Sequence, residues 1–278
     1  MTSTNISTKT TPTWCPGCFN FMILAGVKNF LVKQKDLKDY AIVTGIGCHA
    51  KIFDYLNLPG INSLHGRALP TALGMKVGNP NLKILGFSGD GDAYAEGMEH
   101  TVHAARHNAD FTYIVHNNQV FALTVGEPTP VTEKGFKDKT NPLGVKTEPF
   151  NPIKIMLACG ASFVARVFAD VKQVEEVLIE ASKHKGFKFI EILQPCVVFH
   201  PHTGYKEKTY NLQESGHDKT NWDLAMKKAC EWDYDGIKDK TKIPLGIFYQ
   251  KEKPTLEESW PQLKALKDKK KSFRYLRR

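Results

Sequence analysis

The chain has 278 residues, 41% of them hydrophobic, and its 38 Lys and Arg against 29 Asp and Glu leave a formal charge of +9. That is enough apolar sequence for one large α/β domain with tails, and no run approaches the roughly 18 apolar residues of a membrane helix, so neither two small domains nor a membrane partner is expected. Six cysteines are too few to staple a chain of this length, so those that cluster point to metal or catalytic chemistry in a reducing compartment, and a cytoplasmic location is expected.

Residues 1–12 are polar and lack an apolar signal core, which reads as a flexible leader. Next comes Thr13-Trp14-Cys15-Pro16-Gly17-Cys18, whose Cys-x-x-Cys can bracket a metal, form a redox dithiol or supply half of a zinc site. "YAIVTGIG" (40–47) is a short apolar run ending in glycine, as a buried parallel strand does, and it leads into "GIGCHAK" with Cys48. A helix over 68–77 precedes a second strand, 82–89, which ends in Ser88-Gly89-Asp90-Gly91-Asp92. A helix over 93–107 leads to a third strand, 111–118, and to His116-Asn117-Asn118-Gln119-Val120.

Strands over 162–168 and 187–193 flank a helix over 170–186 that closes on Lys, His and Gly, and the last strand runs into "ILQPC" with Cys196. Cys159 and Cys230 sit in helical contexts and read as small buried hydrophobes. Beyond about residue 205 the alternation fades, so 13–205 is taken as the domain and 206–278 as an extension wrapping it or a partner. The basic end "KALKDKKKSFRYLRR" is read first as a solvated tail and second as a docking surface for an acidic partner. No DNA- or RNA-binding pattern accompanies the charge, so nucleic acid is not expected.

Strand, helix, strand in repetition is the pattern of a parallel α/β sheet with helices on both faces, in which ligands bind beyond the carboxyl ends of the strands. Asp90 and Asn118 then share one rim, 28 positions apart across one βαβ unit. A carboxylate, an amide oxygen and a backbone carbonyl near Val120 are hard donors suited to Mg²⁺, and the glycines around Asp90 let a diphosphate approach. This spacing resembles the thiamine diphosphate motif, Gly-Asp-Gly followed some 25 to 30 residues later by Asn-Asn. Cys48 and Cys196 follow strand ends on the same rim, so Cys15, Cys18, Cys48 and Cys196 are candidates to converge there. Four thiolates suit a [4Fe–4S] cluster or a structural zinc, and spacing alone leaves the two open.

Together, "WCPGC", "GIGC", "LHGRALPTALGMKVGNP", "GDGDAYAEG", "VHNNQVFALT" and "QPCVVF" resemble the β subunit of the 2-oxoacid:ferredoxin oxidoreductases over roughly residues 13–205. The resemblance implies a thiamine diphosphate-binding fold, with Cys15, Cys18, Cys48 and Cys196 as [4Fe–4S] ligands and Asp90, Asn118 and the Val120 carbonyl on Mg²⁺. It implies that Ile46, Gly47, Cys48, His49, Gly91, Asp92, Ala122 and Leu123 line the cofactor and that His65 stands close to it. Lys51 and Arg67 are weaker candidates for holding anionic substrate or phosphate groups. The implied reaction takes a 2-oxoacid, pyruvate and 2-oxoglutarate among the candidates, and coenzyme A to acyl-CoA and CO₂, with electrons passing to ferredoxin. The chain departs from the family at Gly126-Glu127-Pro128-Thr129-Pro130, where many members read Gly-Gln-x-Ser-Pro-Thr.

A pyrimidine-binding domain with its activating glutamate does not fit in the remaining length, so an α subunit is expected to complete the site in a heterodimer or larger assembly. Two other readings stay open at this point. A non-oxidative thiamine decarboxylase or synthase subunit would have no use for four rim cysteines, and a zinc-stabilised, non-catalytic subunit would make the diphosphate motif incidental.

Overall fold

A computed structural model describes residues 6–201 and 205–268. Among these residues ten strands are formed: β1 (Tyr40–Thr44), β2 (Gly60–Asn62), β3 (Lys83–Gly89), β4 (Thr112–Asn117), β5 (Val120–Phe121), β6 (Glu127–Pro128), β7 (Phe163–Phe168), β8 (Lys188–Leu193), β9 (Thr209–Asn211) and β10 (Ile243–Gln250). Eight of them build one sheet in the order β2-β1-β3-β4-β8-β7-β10-β9, while β5 and β6 form a short hairpin. Every pairing in that sheet is parallel except that of β10 with β7, whose register slips between Ile247 and Tyr249. All five or six residues of β1, β4, β7 and β8 are buried, which explains their unbroken apolar runs in sequence.

The helices are α1 (Asn20–Val32), α2 (Ala68–Gly78), α3 (Met98–His107), α4 (Pro152–Ala158), α5 (Val171–Lys183), α6 (Tyr205–Lys208), α7 (Trp222–Ala229), α8 (Leu256–Ser259) and α9 (Pro261–Asp268). Alternating strand residues feed two cores. Tyr113 and Val115 of β4 pack with α2, α3, α4 and α7, whereas Ile114 packs with α1 and α5 on the opposite face. The α1–α5 contact is close because a Cβ at Gly26 would lie 2.8 Å from the Val171 carbonyl oxygen and from Val174. At the start of α5, the Asp170 carboxylate accepts from the Lys172 and Gln173 amides, an N-cap that fixes where the helix begins. None of the described helices is long and apolar enough to cross a membrane.

The helix expected over 93–107 is interrupted. Gly91–Ala95 makes a wide π-type turn closed by the Glu96 amide on the Gly91 carbonyl, and α3 begins only at Met98. The break lies where two segments meet, since a Cβ at Gly97 would stand 2.8 Å from the Gly66 carbonyl oxygen.

At both ends the chain is more firmly held than the sequence implied. Of the leader, residues 1–5 lie outside the described residues, but Ile6 is buried and bonded through its carbonyl to the Asn57 amide, so 6–12 are docked. The segment after 205 supplies β9 and β10 to the sheet, so residue 205 marks no structural boundary. The last ten residues of the basic tail, 269–278, likewise lie outside the described residues.

A buried charge network ties that segment in. Arg166 of β7 and Glu191 of β8, both fully buried, pair at 2.9 Å. Glu191 also accepts from the hydroxyls of Tyr94 and Tyr234 and from the Asn117 amide, while Arg166 lies 5.0–5.4 Å from the ring centroids of Trp232, Tyr234 and Phe248. Removing one partner strands the other charge in the core. Glu191→Ala is therefore expected to destabilise the protein by about 3–5 kcal/mol, to be read from denaturant unfolding.

Candidate functional site

The order in which strands are added reverses at the β4–β8 junction, although the two strands are parallel. Crossovers run outward from β1 to β3 to β4, then jump to β7 and return to β8, and such a switch opens a crevice beyond the strand ends. A cleft of about 520 Å³ of empty volume, part of it open to solvent, lies there. Its walls come from the ends of β1 (Ile46 to His49), β3 (Gly89 to Asp92), β4 (His116 and Asn118) and β8 (Gln194), with His65 and the β5 hairpin (Val120 to Thr124) closing it.

Asp92 is the knot of the rim. Its Oδ1 accepts from the Gly66 amide at 2.7 Å and the Ile46 amide at 3.2 Å, and its Oδ2 accepts from the Ser88 hydroxyl at 2.6 Å. Two loops and the end of β3 are thereby held by one carboxylate. A Cβ at Gly45 would sit 1.8 Å from Oδ2, so only glycine admits it. Burial raises the Asp92 carboxyl above its ordinary range even with these donors present. His49 Nε2 stands 3.6 Å and His65 Nδ1 3.4 Å from the same carboxylate. His49 is buried and its pKa falls to about 3, first through desolvation and then through His65, so it is a neutral imidazole.

Asp90 is only 1% exposed and has no cationic side chain within ion-pair distance among the described residues. Its Oδ1 accepts from the Asn118 amide at 3.3 Å and its Oδ2 from the Thr129 hydroxyl at 2.6 Å. Desolvation pushes its carboxyl up to about 7, outweighing both donors. Asn118 Oδ1 accepts from the Val120 amide at 3.0 Å, across a turn that needs φ +61° at Gln119. The divergent Gly126–Pro130 segment forms the β5–β6 hairpin and delivers Thr129 to Asp90.

The four cysteines stand beside this rim. Cys15-Pro16-Gly17-Cys18 closes with the Cys18 amide on the Cys15 carbonyl at 3.0 Å, with Pro at the second place and Gly17 at φ +77°, as a type II turn requires. Trp14 Nε1 donates to the Cys48 carbonyl at 2.7 Å and packs edge-on against Tyr55, fastening that turn to the 3₁₀ segment Cys48–Tyr55. Cys196 opens the turn to His200, and its sulfur accepts from the Phe199 amide at 3.4 Å. All four are free thiols. Cys15, Cys18 and Cys196 bear electrostatically on Cys48, whose pKa is raised to about 11, chiefly by burial.

Every residue expected to line the cofactor does line the cleft: Ile46, Gly47, Cys48, His49, His65, Gly91, Asp92, Ala122 and Leu123, with Asp90, Asn118 and Val120 beside them. Lys51 and Arg67 do not. Lys51 Nζ bonds the Thr13 carbonyl at 3.2 Å, and its charge bears on Cys48. Arg67 bonds the Glu96 carbonyl at 3.0 Å on the surface. Sequence reasoning passed over His116, Phe121, Thr124 and Gln194 in the wall. Each lies within five residues of a motif residue, so the signal was position at a strand end.

Comparison with known proteins places these features in company. Residues 45–192 match the family model described as thiamine pyrophosphate enzyme, C-terminal TPP binding domain. Residues 196–265 match the family model for the C terminal of the pyruvate ferredoxin oxidoreductase beta subunit. The chain is 40% identical over 253 residues to a 2-oxoacid:ferredoxin oxidoreductase subunit beta of Saccharolobus solfataricus, covering 86% of this chain and 82% of that one. It is 39% identical over 193 residues to the 2-oxoglutarate synthase subunit KorB of Archaeoglobus fulgidus, covering 69% and 72%. Among solved structures it is similar to a 2-oxoglutarate:ferredoxin oxidoreductase from Magnetococcus marinus with 2-oxoglutarate, coenzyme A and succinyl-CoA bound, with a TM-score of 0.88, 30% identity, and 98% and 92% of the two chains covered.

Proposed function

The chain belongs to the β subunits of the 2-oxoacid:ferredoxin oxidoreductases, and on that premise we propose that its cleft binds thiamine diphosphate through Mg²⁺ on Asp90, Asn118 and the Val120 carbonyl. Cys15, Cys18, Cys48 and Cys196 hold a [4Fe–4S] cluster beside it. The observation that carries the metal reading is Asp90, a buried carboxylate with no cation among the described residues to offset its desolvation and an Asn118 amide oxygen held next to it. For the cluster, support comes from four free thiols from three parts of the chain, of which Cys15, Cys18 and Cys196 bear electrostatically on Cys48. Bound thiamine diphosphate supplies the electron sink for decarboxylation, and a cluster supplies one-electron transfer.

The chain's own residues bind and orient. Asp92 fixes two loops and the end of β3, against which the cofactor lies, and the neutral His49 and His116 face the cleft without competing positive charge. His116 Nδ1 lies 2.8 Å from Asn20 Oδ1, and its Nε2 is buried on the side of Gln194. Exposed apolar side chains include Ile46 and Leu123 in the cleft lining, and Leu64 and Val125 next to lining residues in the chain. This rim supports contact with an α subunit, which supplies the pyrimidine-activating part of the site. The 2-oxoacid and coenzyme A enter there, and ferredoxin meets the cluster side in the cytoplasm.

Anaerobic co-purification with the α subunit tests the reading: the complex is expected to be brown, with about four iron per β chain, bound thiamine diphosphate, and CoA-dependent viologen reduction across a panel of 2-oxoacids. Colourless protein with stoichiometric zinc would sink it.

A pH dependence follows from Asp90. Its folded-state pKa of about 7 lies above its ordinary value of 3.8, so the metal-free fold takes up a proton and loses stability as pH rises through that window. Mg²⁺ must displace the proton below pH 7. Apparent affinity is therefore expected to fall by up to about tenfold per pH unit below 7 and to level off above it. Calorimetric titration of metal-free complex in two buffers of different ionisation enthalpy reads both the affinity and the proton released.

A further inference from the structure

Gln194 belongs to both halves of the site at once. It follows β8, and its backbone amide donates to the Asn117 carbonyl at 2.8 Å, so its position is set by the sheet and not by a loop. The side chain is 2% exposed and lines the cleft. Its Nε2 points at the Cys18 sulfur, 3.7 Å away, while its Oε1 is buried on the side of the His116 ring, short of a full hydrogen bond. The opposite amide orientation would set an oxygen against that sulfur, which no thiolate favours. On the other side of Cys18, Asn20 turns its backbone and side-chain N–H groups toward the same sulfur, with Nδ2 short of a full hydrogen bond. Asn20 is in turn bonded to His116 in the cleft wall. One sulfur among the four is thus faced by the Gln194 amide, which lines the cofactor cleft, and by the amide of Asn20, which bonds a residue of its wall.

We propose that Gln194 is a positioning residue that sets the reduction potential of the cluster through an N–H···S hydrogen bond to Cys18, tying the cluster's electron affinity to the wall of the cofactor cleft. This rests on the cluster reading above. When [4Fe–4S]²⁺ takes one electron to become [4Fe–4S]⁺, negative charge builds on the sulfurs, and an amide donor stabilises that product more than the oxidised form. No proton moves. The donor therefore raises the potential, making the cluster a readier acceptor for electrons that leave the substrate one at a time. Because the same amide lines the cleft, filling the cleft acts on the bond to sulfur.

The test is Gln194→Met, a close match in size with no donor, in the α-containing complex purified anaerobically. With iron content unchanged, an EPR-monitored redox titration is expected to show reduction disfavoured about tenfold, a shift of about 59 mV to more negative potential for one electron. A potential equal to that of the unaltered complex, at equal iron content, overturns the proposal. If the variant loses iron, pulsed EPR on unaltered complex carrying side-chain ¹⁵N-glutamine decides. A ¹⁵N coupling with an exchangeable proton, absent from a Gln194→Leu sample or from the oxidised state, supports the bond, and no coupling overturns it. Unaltered complex without iron is a separate result, which removes the cluster reading itself.

Discussion

Asp90→Ala, co-expressed with the α subunit, is expected to lose magnesium-dependent thiamine diphosphate binding by more than about 100-fold, beyond the 10- to 100-fold typical for partners that only support a metal ligand. Asp90 is the one carboxylate in the proposed magnesium set, and the Asn118 and Val120 oxygens carry no formal charge to replace it. The variant should fold, because it removes a buried carboxyl whose ionisation is already disfavoured by desolvation. Cluster absorbance should stay, since the thiols are held by the Cys15–Cys18 turn, the Trp14 anchor and the Cys196 turn, none of which touches Asp90. Thr129→Val, which strips one donor from Asp90, is expected to weaken binding by about tenfold. Calorimetry with and without Mg²⁺ checks both, and undiminished binding in Asp90→Ala would reject the assigned metal site.

The second large effect concerns Cys48→Ser. Cys48 lines the cleft and the other three thiols bear electrostatically on it, so in the proposed set it is the ligand shared between the two halves of the site. Its loss is expected to reduce iron well below four per chain and to abolish viologen reduction, while thiamine diphosphate still binds. Cys159→Ala and Cys230→Ala should leave iron and turnover unchanged. Cys159 packs against the core by α4 and Cys230 is exposed after α7, both away from the cleft. Iron analysis and the visible spectrum separate the outcomes, and retention of four iron in Cys48→Ser would remove this residue from the ligand set.

The parallel strands were readable because burial on both faces makes β1, β4, β7 and β8 continuous apolar runs, a signal that needs no partner to be seen. Asp90 and Asn118 were readable for a related reason, since each follows such a strand directly. β10 was obscure because it sits among polar and aromatic residues and owes its place to β7, some eighty residues earlier. Helix α1 hid differently: contacts with both α5 and the sheet leave too little polar face to show a helical period. The direction of Arg67 was not readable, because the turn through Gly66, at φ +70°, is what sends it to the Glu96 carbonyl. Gln194 has no motif to announce it, and its role depends on where the Cys18 turn comes to rest.

The antiparallel strand β10 also sets a timetable for the newborn chain. Residues emerge from the ribosome at about 5–20 per second, and β1, β3, β4, β7 and β8 are all available before β10 is made. Until then the outer edge of β7 stays unpaired, and the Arg166–Glu191 pair lacks the cover of Trp232, Tyr234 and Phe248. Closure late in synthesis gives the nascent subunit an interval with an adhesive strand edge. A stop codon after residue 205 would make that interval permanent, yielding a chain that holds every proposed cofactor ligand and yet is bound for aggregation.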